Sequence, residues 1–472
     1  MRLYLKQLLV LFGILLSSYQ MFAKASTPEQ YGAKGDGVTD DTKAVMTALL
    51  ENEKVFFNGR YRVKYITIPE GRQLIGKGSA SFLYFAIDVS ANCTIKNIVF
   101  DGEWNTRGLQ ILGSNVQIKG CSFIHTKGTL EYYGGLTSAI WVGRYQDLEE
   151  KIIKYKKVTI SDCSFSGCEP YDSISNISNN RTVARYILSY GCNDFRITRC
   201  TFKELNGLYD SDAIQLCSYA IKSDEFPFYC YNDNWTSKKH PYLRLYYAPC
   251  KTIVDKCIFE QATCKSSIKI MSSGVRIFNN QFVLLNNDDL NPCYSVVRTH
   301  FVKDVIIKDN SFLFNGAAST STIKIGNSRD VVIERNSFTS NNDEEKPPIV
   351  FDMSYTQGCE VKKNAIKFES IGNLFTTEYN DNLCIKRNIF EIYHIEDDMF
   401  KLITNLSNHY SYPPIDYTEG KFENNRFVVK EWDGGLFDVS NKYDFPMSFV
   451  SNKIKKNGTS ADIKLYNNGR KQ

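Results

Sequence analysis

The sequence predicts an all-β chain wound as a right-handed parallel β-helix with an N-terminal capping helix, on three observations. One phrase, apolar-x-apolar-x-x-(Asn/Cys)-x-(Phe/apolar), recurs twelve times between Cys93 and Ile454. Its clearest copies occupy 116–123, 158–165, 195–202, 275–282, 305–312 and 331–338; weaker ones end at Phe100, Phe259, Ile366, Phe390, Phe427 and Ile454. The sixth position forms a column, Cys121, Cys163, Cys200 and Cys257, then Asn280, Asn310, Asn336, Asn364, Asn388, Asn425 and Asn452. The eighth forms a second column, mostly Phe. Alternating apolar and polar residues signal a strand. A strand unit returning every two or three dozen residues signals coils that bury their apolar edges against one another.

Taken from the start, residues 1–25 read as a secretory signal: basic Arg2 and Lys6, an apolar run over 8–16, and the small-x-small site Ala23-Lys24-Ala25. The run is short for a membrane span. Losing Arg2, Lys6 and Lys24 takes the formal charge from +5 to +2, which gives no support to bulk nucleic-acid binding. The expected address is secreted or periplasmic, with no membrane span.

Next comes Tyr31-Gly-Ala-Lys-Gly-Asp-Gly-Val-Thr-Asp-Asp-Thr42. Gly35-Asp36-Gly37 is a turn signal. Asp40 and Asp41 stand at the start of a predicted helix whose apolar residues are Ala44, Val45, Ala48 and Leu49. Such a helix covers the open end of a coil stack, as a terminal unit must. Strand-like 55–63 and 73–78 follow.

This segment, with Leu74-Ile75-Gly76-Lys77-Gly78 behind it, resembles the N-terminal module of the pectate-lyase superfamily. That group includes polygalacturonases, rhamnogalacturonan-active enzymes, related lyases and epimerases, and phage tailspikes. The resemblance covers the cap specifically and the coils generally, most of 28–455. It implies the pectin-lyase-like β-helix, an action on polysaccharide, and a monomer or a homotrimer. The same cap precedes hydrolases, lyases and non-catalytic binders, so function has to be argued from the site.

In the repeat region, Asn in the sixth column suits the left-handed backbone of a tight corner. Its amide can bond the copies above and below at a strand spacing of about 4.8 Å. The Phe column predicts an aromatic stack. Both columns read as structural rather than as metal or redox sites. Residues 26–455 form one predicted domain. Successive Phe-column positions lie 23 to 57 residues apart, and the surplus between Phe123 and Phe259 marks insertions at about 124–158, 166–190 and 219–250, or in part an unrecognised coil. The last holds Phe226, Phe228, Tyr229, Tyr231, Trp235, Tyr242, Tyr246 and Tyr247, either an aromatic surface for sugar rings or a self-packed lobe. Residues 456–472 read as a polar, disordered tail.

Of the fourteen cysteines, those in the repeat column and Cys93, Cys359 and Cys384 read as small buried apolar residues. Cys230 and Cys250, bracketing the largest insertion, are the best candidates for a bridge. No Cys/His spacing fits zinc.

A second strand precedes each phrase: Ala139-Ile-Trp141-Val, Ala213-Ile-Gln215-Leu, Ser267-Ile-Lys269-Ile, Val296-Val-Arg298-Thr and Thr322-Ile-Lys324-Ile. Alternation turns one residue of each outward, giving a column Trp141, then Leu188, Gln215, Lys269, Arg298 and Lys324. Adjacent cations repel unless an anion lies between them, and an acidic glycan would supply it. Ordinary solvated charges on a sheet face remain the alternative. Tyr209-Asp210-Ser211-Asp212-Ala213-Ile214 places two carboxylates beside this column, suited to acid–base chemistry, to Ca²⁺ or to a plain turn.

Asp212-Ala213-Ile214 is similar to the Asn-Thr-Asp-Gly-Ile motif of polygalacturonases, whose Asp is catalytic. Where that family has an Asp-Asp pair, this chain has Lys265-Ser266-Ser267, and its Gly-His-Gly motif is absent, with His300 the nearest substitute. An inverting hydrolase needs a second carboxylate. The residues therefore fit β-elimination of a uronate polysaccharide better. Lys269, crowded by cations, is the candidate base; Arg298 clamps the carboxylate; His300 protonates the leaving oxygen. Asp210 and Asp212 hold Ca²⁺ or orient Lys269. Trp141, Arg144, Gln215, Lys324 and Trp235 are the candidate sugar contacts. Two other readings stay open: a glycoside hydrolase with Asp212 as acid and Asp210, Asp172 or Glu169 as partner, and a non-catalytic glycan-binding or adhesion solenoid.

Overall fold

The computed structural model describes residues 26–471 except 106–107, 128, 131–137, 170–181, 206–210, 223–228, 231–242, 262–265, 286–292, 316–318, 341–348, 372–373, 379, 396–399, 403–419, 433–436, 440–446, 457–458, 463–465 and 468–469. The expected leader, 1–25, lies outside the described residues. Each coil contributes one strand to each of three sheets, of 14, 16 and 13 strands among the described residues. In one turn, Val116–Lys119 lies in the first sheet, Ser122–Lys127 in the second and Ser138–Val142 in the third. The chain then returns to the first sheet as Tyr155–Ser161, parallel to Val116–Lys119. The repeated phrase is thus two short strands meeting at a corner, not one.

The corner shows where the sequence reading of Asn needs correcting. The left-handed residue is the one before the column: Gly120, Asp162, Arg199, Lys256, Asn279, Asp309, Arg335, Lys363, Arg387, Asn424 and Ser451, with φ from 52° to 64°. The column residue itself turns inward. From Asn280 to Asn425, each Nδ2 donates to Oδ1 of the next Asn at 3.0 Å. It also donates to a strand carbonyl of the coil before, as Asn336 does to Ile307 at 3.0 Å. Every ladder amide is buried, so these bonds spare it a desolvation cost of about 1–3 kcal/mol. In the earlier coils, Cys takes the place of Asn, and its sulfur lies against backbone carbonyls, as Cys163 Sγ does with Ser161 O at 3.2 Å. Burial pushes the thiols of Cys168, Cys192 and Cys359 up to about 12.

The Phe column is continuous in register. From Phe100 to Phe338, successive rings stack at 4.6–5.0 Å with planes within 13°. Each contact adds roughly 0.5–1.5 kcal/mol beyond area burial. Phe123, Phe165, Phe202 and Phe259 lie on consecutive strands, so the surplus length there is insertion and no coil was missed. Two coils were missed upstream, where Tyr61 and Phe82 extend the column.

Helix Thr42–Glu51 turns Ala44, Val45, Ala48 and Leu49 into the same core, against strands Lys54–Phe57 and Ile66–Ile68. Asp41 does not cap this helix through its side chain. Its carboxylate instead accepts the N–H groups of Lys34 and Gly35 at 2.7 and 3.0 Å, tying down the glycine turn. A Cβ on Gly59 would stand 2.9 Å from Gly35 Cα, so the turn needs a bare backbone there.

The 219–250 insertion forms a small antiparallel sheet of Ala220–Lys222, Leu243–Tyr247 and Tyr229–Cys230. The expected Cys230–Cys250 bridge is not made: Cys250 is a free, buried thiol 3.6 Å from Ser218 Oγ. The expected tail carries two short hairpins, Lys453–Lys456 with Thr459–Asp462 and Tyr466–Asn467 with Arg470–Lys471. The first lays an antiparallel strand along the last edge of the second sheet, which blunts it. No helix among the described residues is long and apolar enough to cross a membrane.

Candidate functional site

The outward column read from the sequence exists as a row on the third sheet. Trp141 pairs in register with Leu188, Leu188 with Gln215, Gln215 with Lys269, Lys269 with Arg298, and Arg298 with Lys324. The apolar residue before each points into the core. The row sits between two kinds of connection. Its strands are entered through 131–137, 170–181, 206–210, 262–265 and 286–292, which lie outside the described residues. Two of its strands leave into helix Tyr145–Glu149 and the small sheet of the 219–250 insertion.

The alternative reading of ordinary solvated charges on a sheet face does not hold. Trp141, Gln215, Lys269 and Arg298 are only 5–8% exposed. Trp141, Leu188 and Cys217 form their own apolar cluster on this outer face, with Leu148, Tyr190 and Met271 against it. Lys324 is less buried and pairs with Asp352, the next residue of the row, at 2.7 Å. The positive charge of the run is therefore offset by a carboxylate at its end.

Asp212 lies one row over, in register with Arg185 on one side and Ser266 on the other. It is 0% exposed, and neither carboxylate oxygen has a hydrogen bond. Ser138, Ser266 and Ser295 Oγ, Gln215 Oε1 and Trp141 Nε1 are buried on the same face and likewise lack partners. Buried polar atoms are normally satisfied by protein or water, so this face concentrates hydrogen-bonding capacity that protein groups do not meet. The charges act on a common neighbour. Burial raises the Cys217 thiol, Lys269 and a Gln215 hydrogen bond pull it back, Arg185 does the same, and Asp212 adds to the rise.

Of the other candidates, His300 closes strand Cys293–His300 two residues beyond Arg298, its ring over Gly326. Arg144 is exposed at the start of helix Tyr145–Glu149, its N–H bonded to Asp147 Oδ2 at 2.9 Å, beyond the strand that carries Trp141. Asp210, Asp172 and Trp235 lie outside the described residues. Arg185 was missed; aligning Arg185-Tyr-Ile-Leu188 with Asp212-Ala-Ile-Gln215 finds it. A cation at Asp212 would face Arg185 across one strand spacing, which opposes Ca²⁺ there. The described residues contain no group of three His, Cys, Asp or Glu able to hold a metal.

No family model and no curated protein matches the sequence. Solved structures match its fold. The catalytic unit of a thermostable GH87 α-1,3-glucanase from Streptomyces thermodiastaticus strain HF3-3 aligns with a TM-score of 0.51 at 12% identity, over 88% of this chain and 69% of that one. A tailspike protein double mutant of E. coli bacteriophage HK620 aligns with a TM-score of 0.51 at 10% identity, over 91% and 80%. At these identities the likeness is one of fold: the chain is a right-handed parallel β-helix.

Proposed function

We propose that this β-helix is an exported carbohydrate-active protein that cleaves an acidic, uronate-containing polysaccharide by β-elimination at the third-sheet face. The observation that carries the reading is the in-register pair Lys269–Arg298, buried beside the hydrogen-bond-poor Asp212 row. Two cationic side chains on adjacent strands give this face positive charge that a uronate carboxylate complements. Arg298 offers a forked pair of bonds to that carboxylate, stabilising the enolate that forms when the neighbouring ring proton leaves. Lys269 is the base that takes that proton. The electron pair forms the new C=C bond as the C–O bond to the leaving sugar breaks, and His300 delivers a proton to the departing oxygen. Trp141 and Leu188 supply an apolar wall, and Arg185 with Asp212 sets the polar row behind.

The hydrolase reading requires a second carboxylate within roughly 5–10 Å of Asp212. Among the described residues of the outward row, Asp352 lies four coils from Asp212, about 19 Å at one strand spacing per coil. Glu169 is exposed at the end of a strand in the second sheet, away from the face. A binding solenoid is the second reading, favoured by the near-complete burial of the row. The test is incubation of the chain with pectic and other uronate polysaccharides, with and without Ca²⁺, following ultraviolet absorbance of unsaturated uronate and new reducing ends together. Reducing ends without absorbance would overturn elimination in favour of hydrolysis. Glycan binding with no product at all would leave the binder.

A further inference from the structure

On the second sheet, away from the row, one strand departs from the regular coil. Asp101 pairs with Ile124 and Asn105 with Thr126, so two more residues lie between the pairs on one strand than on the other. The surplus is taken up by Glu103 and Trp104, both left-handed at φ 48° and 57°. Bulky residues rarely adopt that backbone, and bulges commonly re-aim a side chain. Here the result is an exposed indole: Trp104 is 41% exposed and lies 5.0 Å from the His125 ring. His125 is held from below, its Nδ1 3.0 Å from Asp101 Oδ1. The next coil puts Gly167 under both rings, where a Cβ would stand 3.5 Å from each. Arg62 reaches Glu103 at 2.6 Å along the rim.

We propose that this Trp104–His125 shelf binds an uncharged pyranose unit of a glycan, at a site separate from the third-sheet face. A pyranose offers an apolar C–H face and a rim of hydroxyls. The indole and the imidazole edge match the first, and the part-exposed carboxylates and imidazole, which accept and donate, match the second. Each described carboxylate of the shelf already faces a cationic or imidazole partner, so no surplus positive charge remains to recruit a uronate. The charge balance is the opposite of that at Lys269 and Arg298. The inference does not depend on the elimination chemistry.

The test is native affinity electrophoresis of the full chain through gels holding one neutral polysaccharide each: mixed-linkage β-glucan, galactomannan, arabinoxylan or dextran. At least one should retard the chain. Trp104→Ala should weaken that retardation at least tenfold. Gly167→Asn, which keeps every recognition group but covers the floor with a residue that tolerates the left-handed backbone, should do the same. Lys269→Met should retain it. The proposal is overturned if no gel retards the parent, if Trp104→Ala and Gly167→Asn migrate like it, or if Lys269→Met loses retardation equally, which would assign the binding to the third sheet. Failure of the elimination reading would show only in the uronate assay.

Discussion

Lys324 Nζ donates to Asp352 Oδ2 at 2.7 Å across two adjacent coils, and this bond divides the cationic row into unequal parts. Lys269 and Arg298 are nearly fully buried, whereas the Lys324 side chain is 22% exposed beside a carboxylate. Lys269→Met and Arg298→Lys are each expected to lower the rate of unsaturated-product formation about a hundredfold or more, the usual scale for losing one aligned electrostatic group. Lys324→Met should lower it by only a few-fold. Equal losses at all three positions in initial-rate assays would show that the Asp352 pair does not set Lys324 apart.

Asp212 carries a desolvation cost that no hydrogen bond offsets, since neither oxygen has a partner and the side chain has no exposure. Groups kept for function at the expense of stability behave distinctively when replaced. Asp212→Asn should abolish turnover while leaving the thermal midpoint unchanged or higher. A fall of more than a few degrees, read by circular dichroism, would mark Asp212 as structural instead.

Neighbouring positions 335 and 336 should respond in opposite ways. Arg335 is left-handed at φ 54° and forks onto Asp309 at 2.7 and 2.8 Å. Glycine there would lose an exposed ion pair, which solvent and salt screen, and relieve the left-handed backbone cost of a residue with a Cβ, so Arg335→Gly should change stability little. Asn336→Ala removes four ladder hydrogen bonds and should cost about 3 kcal/mol or more. Denaturant unfolding of the two variants checks the contrast.

The N-terminal turn predicts a pH effect of definite sign. Backbone N–H groups of Thr39 and Val38 and the Thr39 hydroxyl hold Asp36 down at about 2 from an ordinary 3.8. A depressed carboxylate stabilises the fold above its unfolded value and loses that contribution as pH falls through the folded one. The thermal midpoint of the parent should exceed that of Asp36→Asn at pH 6, and the gap should close between about pH 4 and pH 2. A gap that persists unchanged at pH 2 would contradict the assignment.

The stack was legible because its determinants are local and periodic. Phe123, Phe165 and Phe202 announce themselves by spacing, and the Lys269–Arg298–Lys324 row follows from the alternation of a strand. Legibility stopped where geometry is not local. The left-handed corner falls on Arg335 and Lys363 rather than on Asn336 and Asn364, because the inward amide and the bent backbone are adjacent tasks given to adjacent residues. Tyr61 and Phe82 belong to the aromatic column but lie in coils whose phrase is degenerate. The burial of Lys269 and Arg298 and the free state of Cys250 depend on contacts between residues far apart in the sequence, which no short window contains. The Trp104 shelf went unseen because its two rings come from separate coils joined by a bulge.

The asparagine ladder has a polarity, since each side-chain amide donates toward the C-terminal end and accepts from the coil before. A chain of identical links of this kind sets no length of its own. Removing 365–388 would bring Asn364 directly against Asn425 with donor meeting acceptor as before, and duplicating the same stretch would insert one more equivalent link. Beyond Asn364, where the cations of the row have ended, the stack is therefore extensible by whole coils, a ruler that can be lengthened or cut at any mark. The coils up to Asn364, which carry the row from Trp141 to Lys324 and Asp352 together with the insertions, tolerate no such editing without dismantling that face.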